Sequence, residues 1–439
     1  MKKIVKFGGS SLADARQFEK AGEIIRSDPG RRYIVPSAPG KRFDGDEKVT
    51  DMLLGAYRTA LEGGDLHGQL MDIKARYQEI IDHLQLAISL EEDFDRIEAR
   101  LKTEPSLDYA ASRGEHLNGK VMAAYLGYRF IEPAENIFFD REGFLDMDKT
   151  ARVLGKTLED AEYAVIPGFY GCDPDGKVKT FSRGGSDVTG SVVAAAAGAD
   201  VYENWTDVSG FMVADPRIIH NPVSIDTLTY RELRELSYMG ASVLHEDAIF
   251  PVRSKGIPIN IKNTNAPDDE GTWIVESTAR KPKFTITGIA GKKGFCAVSI
   301  TKDLMNSEIG FGRKVLQSFE DNGISFEHMP SGIDTMTIVV HEDEFLHKEQ
   351  AVVSEIHRLT KPDQVEIESD LALIAVVGRG MKSMRGTAGR IFSALAHAHV
   401  NVRMMDQGSS ELNIIIGVAN EDFEGAIKAI YDIFVTINL

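Results

Sequence analysis

Cysteine is scarce: Cys172 and Cys296 are the only two in 439 residues. Two thiols build neither a disulfide framework nor a four-ligand zinc site, and they suit a reducing compartment. Long apolar runs are also missing. The best candidates, around 192–197 and 414–418, fall far short of the roughly 18 residues of a membrane-spanning helix. At the start, Lys6 interrupts the apolar residues and Gly8-Gly9 follow at once, so no signal-peptide core forms. These absences predict a cytoplasmic protein with no membrane partner. Basic surplus is lacking too. Fifty Lys and Arg face 67 Asp and Glu, a formal net charge of −17, which argues against nucleic acid as a partner. A nucleotide stays open, because it needs only a local positive pocket. Several familiar signatures are incomplete. Gly155-Lys156-Thr157 lacks the first glycine of a P-loop, Thr150 standing in its place. No G-x-G-x-x-G follows a strand. His245-Glu246 and His341-Glu342 lack the second histidine of a zinc protease, Asp173–Gly176 is a turn without calcium ligands downstream, and no G-x-S-x-G elbow occurs.

What is present is ordinary globular material, 43% hydrophobic and 27% charged, long enough for about two to four folding units. The first ~260 residues alternate strand and helix signals, which predicts an α/β layer with a largely parallel sheet. Lys3–Phe7 reads as a strand ending in Gly8-Gly9, with a helix over 12–25. Tyr33–Val35 is a second strand, ending in the loop 36–40. Residues 50–126 are mostly helical, with Ser106 as the N-cap of the last segment. Tyr163–Pro167 and Val201–Trp205 read as strands, a helix starts near Ser186-Asp187, and Pro258–Ile261 reads as the final strand. The stretch from Asn263 to Lys283, with Pro267, Gly271 and several aspartates, reads as a linker.

Beyond the linker the chain repeats itself. A shift of 76 residues carries Gly310 onto Gly386, Val315 onto Ile391, Phe319 onto Leu395 and Ile338 onto Ile414 without a gap. Upstream, Val298 and Ile300 fall on Ile374 and Val376. Two copies of a small α+β unit are the simplest account.

The chemistry-bearing residues sit in glycine-rich turns at strand ends. Lys6-Phe7-Gly8-Gly9-Ser10-Ser11 offers backbone amides, a helix start and an ammonium group to an anion, although a plain strand-to-helix turn explains the glycines alone. Ser182-Arg183-Gly184-Gly185-Ser186-Asp187 repeats that arrangement with a guanidinium; taken alone, Asp187 reads first as a helix cap. Trp205–Gly210 and Asp215-Pro216-Arg217 follow another strand. Ligands of open α/β sheets bind outside the carboxyl ends of strands, so these turns should converge. On the helix that begins near Ser106, Asp108, Ser112, Glu115 and Gly119 share a polar face. That face is either solvated or aimed at a ligand ammonium.

Taken together, KFGGSS, RGEHLNG, PGFYG, SRGGSD, WTDVSG, ADPR and VLHEDAI resemble the amino-acid kinase family, and within it the aspartokinases. The paired repeats resemble tandem ACT domains. The resemblance covers nearly the whole chain. It implies a carbamate-kinase-like three-layer α/β sandwich over 1–278, then two ferredoxin-like ACT domains over 279–439, one about 302–368 and the other 284–301 plus 369–439. The implied reaction moves the γ-phosphoryl of MgATP to the side-chain carboxylate of L-aspartate. Lys6, Gly8, Gly9, Ser10 and Asp187 would form the transfer site. Arg183 would clamp the substrate α-carboxylate and Glu115 its ammonium, with Thr50 and Phe169 shaping the pocket. Lys6, Gly9, Thr206, Asp207, Asp215 and Arg217 would hold the nucleotide, with no protein-borne metal site. Two departures stand out: Met212 replaces a tyrosine common after the WTDV-like turn, and Ser242 replaces a lysine of some relatives. Lys41 or Arg42 could replace that lost charge.

The ACT resemblance further implies feedback inhibition by an end-product amino acid, held by Met305, Ser307, Gly310, Phe311 and Gly312 with Glu327, Ser331 and Asp334. The two acidic residues favour lysine over threonine as effector. ACT units pair edge to edge, so a homodimer or higher homo-oligomer is expected. The competing expectations are a kinase acting on glutamate or acetylglutamate, and an amino-acid sensor without catalysis. A fused homoserine dehydrogenase is not expected at this length.

Overall fold

The computed structural model describes residues 1–182, 184–241, 244, 246–279, 282–408 and 410–436. The chain divides into two compact units. One comprises Met1–Phe211, Ser224–Arg231 and Ser242–Thr278; the other comprises Met212–Val223, Glu232–Ala241 and Ala279–Leu439. No helix among the described residues is long and apolar enough to cross a membrane.

The strands of the first unit are β1 (Lys3–Phe7), β2 (Arg31–Pro36), β3 (Arg129–Phe130), β4 (Ala164–Val165), β5 (Tyr170–Cys172), β6 (Val178–Thr180), β7 (Val201–Thr206), β8 (Thr227–Thr229), β9 (Ile259–Asn263) and β10 (Thr272–Val275). Eight of them make one sheet in the order β3-β4-β2-β1-β7-β9-β10-β8, and β5 and β6 form a separate hairpin. All neighbours in that sheet run parallel except β9 and β10. Ile4, Val5 and Phe7 of β1 are fully buried, the uniform burial expected of a central parallel strand covered on both faces. Phe7 stacks on Trp205 across the β1–β7 pair at 6.1 Å.

Two sequence expectations change here. The linker stretch contains β10, which extends the sheet antiparallel to β9; the strand read at Pro258–Ile261 is present as β9 but is not the final one of the unit. Tyr163–Pro167 keeps only two strand residues, Ala164 and Val165. The helical region resolves into Val49–Glu62, Leu66–His83, Glu91–Thr103 and Leu107–Leu126. The last is capped as read: Ser106 Oγ accepts the Tyr109 N–H, and Gly127 ends the helix at φ +70°. Leu53, Tyr77, Phe94, Ile97, Leu117 and Val121 from these helices share one core with Val5, Phe7 and Trp205.

The second unit holds β11 (Gly288–Thr301), β12 (Phe326–His328), β13 (Thr335–His341), β14 (Gln364–Val377), β15 (Met404–Asp406) and β16 (Asn413–Ala419), in the antiparallel order β12-β13-β11-β14-β16-β15. The repeat is visible in the backbone. Short 3-10 turns Met305–Ser307 and Met381–Ser383 each lead to a glycine, Gly310 at φ +81° and Gly386 at φ +83°. Helices Phe311–Glu320 and Thr387–His397 follow. The long strand β11 serves both copies. Phe295–Thr301 pairs with β13, while Gly288–Lys293 pairs with the part of β14 that borders β16. The register shifts between Lys293 and Phe295, where Gly294 takes φ +92°, a bulge position that glycine occupies without steric cost.

Candidate active site

The site starts with β1. Lys6, its penultimate residue, is 8% exposed, and Nζ lies 2.6 Å from Asp187 Oδ1. Asp187 sits in the first turn of the helix Gly185–Ala197. Asn204 of β7 completes the cluster: Nδ2 donates to Asp187 Oδ1 at 2.9 Å, and Oδ1 accepts from Lys6 Nζ at 3.4 Å. The cap reading of Asp187 is thereby corrected, for the N-cap is Gly184 and no side chain caps this helix. Asn204 escaped sequence reasoning. Its signal was a polar pair, Glu203-Asn204, inside an otherwise apolar strand.

The turn beyond Lys6 meets a second turn backbone to backbone. Gly40 N–H donates to Gly9 O at 2.8 Å. A Cβ on Gly9 would lie 2.9 Å from Ala38 O, and one on Gly40 would lie 2.6 Å from Gly9 C, closer than side chains pack. Gly40→Ala is therefore expected to push the two turns apart, lowering kcat/KM by about tenfold or more while leaving the helical core folded. Steady-state kinetics with a circular dichroism control check this. On the far side of the 36–40 loop, Val49 N–H donates to Pro39 O at the start of the helix carrying Thr50.

Glu115 projects onto the same loop from the helix Leu107–Leu126. The face it shares with Ser112 and Gly119 is buried, not solvated: Ser112 is fully buried and Glu115 is 6% exposed. Tight packing explains the small residues, since Gly114 lies against Ala38 and Gly119 against Pro167. The Glu115 carboxyl accepts a backbone N–H from Ala38, yet its Oε2 has no hydrogen-bond partner. Burial pushes this carboxyl up to about 8, outweighing that backbone hydrogen bond and the nearby Arg113. A buried carboxyl with one orphan oxygen is a site waiting for a donor.

Phe169 closes the ring. It takes φ +81°, its N–H donates to Thr189 Oγ1 at 2.9 Å, and its ring packs where a Gly185 side chain would be. Through Gly168 N–H it is tied to Pro36 O at 3.1 Å. Thr206 ends β7 and Asp207 follows it, beside Gly8, whose N–H donates to Trp205 O at 2.9 Å. Lys6, Gly8, Gly9, Glu115, Phe169, Asp187, Thr206 and Asp207 are thus linked by short contacts through β7 and the 36–40 loop, Thr50 follows Val49 on the neighbouring helix, and Ser10 is the second residue of the 3-10 turn Gly9–Leu12. Arg183 and Ser242 lie outside the described residues. Asp215 and Arg217 belong to the second compact unit, where they pair with each other at 2.6 Å, Arg217 being 85% exposed. Arg42 is committed to Asp46 at 3.0 Å and to Glu79 at 3.2 Å, so Lys41 is the freer of the two candidate replacement charges.

In the first repeat, Met305 and Phe311 are buried while Ser307 and Gly310 are exposed. Asp334 Oδ1 accepts the Leu304 N–H at 3.0 Å, and Glu327 faces His341 at 3.3 Å. Ser331 forms an isolated bridge with Met336.

Known proteins with this arrangement place the chain. Residues 1–263 match the model of the amino acid kinase family, and residues 374–434 match an ACT domain. Aspartokinase 3 of Bacillus subtilis (strain 168) is 41% identical over 447 residues, with 98% of each chain covered. The crystal structure of Clostridium acetobutylicum aspartate kinase superposes with a TM-score of 0.90 at 50% identity, covering 99% of this chain and 100% of that one. E. coli aspartokinase III, solved in complex with aspartate and ADP, shares the fold with a TM-score of 0.77 at 23% identity and 99% coverage of both chains. The chain belongs to the amino acid kinase family and, within it, to the aspartokinases, ATP-dependent phosphotransferases with ACT domains.

Proposed function

We propose that the cluster around Lys6 transfers the γ-phosphoryl of ATP to the side-chain carboxylate of L-aspartate. The observation that carries this reading is the orphan oxygen of Glu115, buried beside the Ala38 loop that also meets Gly9. A substrate ammonium satisfies it, and the rest of a small amino diacid then lies between Glu115 and Lys6.

Phosphoryl transfer asks the protein for alignment and charge neutralisation more than for covalent chemistry. Lys6 holds the moving phosphoryl group, with the amide of Gly9 and the hydroxyl of Ser10; the Gly8 amide, expected to help, is already spent on Trp205 O. Asp187 and Asn204 fix the ammonium so that it pays no reorganisation during the reaction. Arg183 clamps the α-carboxylate, Thr50 and Phe169 bound the pocket, and Thr206, Asp207, Asp215 and Arg217 hold the nucleotide. Magnesium, carried on the nucleotide phosphates, would neutralise their charge. Asp187 fits that role, because it spends Oδ1 on both Lys6 and Asn204 and keeps a second oxygen for a cation. No general base is needed, since a carboxylate is already nucleophilic at neutral pH. ADP release measured against a panel of acids tests the reading: aspartate should support turnover, while glutamate and acetylglutamate should not. Aspartate binding without ADP release would instead mark a sensor.

For the regulatory region we infer inhibition by lysine, bound at Met305–Gly312 with Glu327, Ser331 and Asp334, in a homodimer or higher homo-oligomer of a cytoplasmic enzyme. Support comes from the acidic pair and from the unit that holds Asp215 and Arg217. Within that unit Ile289 N–H donates to Val213 O at 2.6 Å, and Val223 N–H donates to the Tyr431 hydroxyl at 3.0 Å. Effector binding to the repeats thus has a short route to candidate nucleotide contacts. In a titration, lysine should inhibit at lower concentration than threonine, and Asp334→Asn should weaken lysine inhibition by about tenfold. Inhibition by threonine alone would contradict the assignment.

A further inference from the structure

A polar cavity of about 180 Å³ opens on another face of the helix that carries Glu115. Its walls include Arg96, Arg100, Arg113, His116, Asp93 and Glu132. At 3.6 residues per turn, Arg113 points about 160° round the helix from Glu115, so the cavity is separate from the phosphoryl-transfer cluster.

The charges in it do not cancel. Asp93 is taken by Lys120 at 2.6 Å, with His116 at 3.8 Å, and Glu132 is taken by His116 at 3.0 Å. Both carboxylates are held down to about 2 despite their burial, Asp93 by its neighbours His116 and Lys120 and Glu132 by His116, Arg113 and Tyr170. Among the described residues, Arg96 and Arg113 make no ion pair, and Arg100 has only Glu104 at 3.9 Å. Arg113 is 7% exposed, a buried guanidinium that acts on Glu132 and Glu115 from a distance and forms no ion pair at contact distance among the described residues. It lies over the rings of Tyr109 and Tyr170 at 4.6 and 5.1 Å, and both Nε and Nη2 donate to the single Ser112 hydroxyl. Arg100 Nε is likewise buried with no partner. Stacked, immobilised guanidiniums with unused N–H groups are the usual means of gripping a planar or tetrahedral oxyanion.

We propose that this cavity binds a small oxyanion, a phosphate or carboxylate group, between Arg96, Arg100 and Arg113. The volume, several times that of a water molecule, accommodates inorganic phosphate or a short dicarboxylate. The site goes beyond the kinase reading and does not depend on it.

Equilibrium dialysis of the full-length protein against labelled inorganic phosphate, at fixed ionic strength, tests this. A non-hydrolysable ATP analogue and aspartate, both saturating, keep the catalytic cluster occupied. One saturable phosphate per chain is expected, with affinity reduced about tenfold or more by the double variant Arg96→Gln/Arg100→Gln. Those two side chains reach the surface, so the variant should fold; Arg113→Lys, which keeps the charge and loses the fork, should weaken binding similarly. A parallel arm uses succinate. Phosphate binding that succinate cannot displace identifies a phosphate site, and saturable succinate binding that excludes phosphate identifies a carboxylate site. Absence of saturable binding for both anions, or binding unchanged in the double variant, overturns the proposal.

Discussion

Glu115→Gln should give a protein more stable than the parent at neutral pH and almost unable to use aspartate. The carboxyl is buried and its folded-state value is about 8, raised first by desolvation. In the unfolded chain it ionises near the ordinary value of 4.5. Between those two values the folded state holds a proton that the unfolded state has released, so stability falls as pH rises. The accumulated cost is about 3 kcal/mol at pH 7 and vanishes below about pH 4.5. Glutamine removes it and keeps an oxygen for the Ala38 N–H. Urea unfolding of the two proteins at pH 4.5 and pH 7 should therefore show a gap at the higher pH only. Aspartate meanwhile loses the charged partner of its ammonium, and its KM should rise by about 10²-fold or more. Greater stability with lost binding would identify a group kept in the fold at a cost because the reaction uses it.

Lys6→Ala should damage both rate and fold, through different partners. Lys6 and Asp187 are largely buried, with side chains 10% and 14% exposed. Removing the ammonium leaves Asp187 with Asn204 as its neutral donor. Loss of one member of such a pair costs about 3 kcal/mol or more. The catalytic loss should be at least about 10²–10³-fold in kcat, the scale seen when one preorganised charge stabiliser is deleted. The double variant Lys6→Ala/Asp187→Asn separates the two effects. Stability should largely return, because no uncompensated carboxylate remains, while activity should stay lost. Recovery of both together would mean that Lys6 acts only by neutralising the Asp187 carboxylate.

Much of the fold was legible because apolar strands ending in glycine turns leave a strong local pattern. The repeat was legible because Gly310 and Gly386 occupy equivalent positive-φ positions ahead of equivalent helices. Strand β10 was not, since Pro267, Gly271 and the aspartates dominate any window that includes Trp273–Val275; its strand character comes from pairing with β9 and β8. Asp187 read as a cap because caps are local, whereas its ion pair joins residues 181 positions apart. Asn204 carries no motif at all. It became visible once β1 and β7 lay side by side with Lys6 opposite Asn204 in register. The burial of Glu115 was hidden for a related reason: Ser112 and Gly119 read with it as part of a polar face, and only the chain packed upon them turns that face into an interior. Pattern reading finds elements and turns. The pairing of charges across elements is a tertiary property.

The central claim is that Glu115, protonated and with Oε2 unpartnered, becomes an ionised partner of the substrate ammonium. Titration calorimetry of aspartate binding, with ADP saturating, in two buffers of different ionisation heat at pH 7, measures this directly. About one proton should be released per aspartate bound, because a carboxyl titrating near 8 must ionise to pair with the ammonium, and Glu115→Gln should abolish the release. Aspartate binding with no buffer dependence, or with proton uptake, would contradict it.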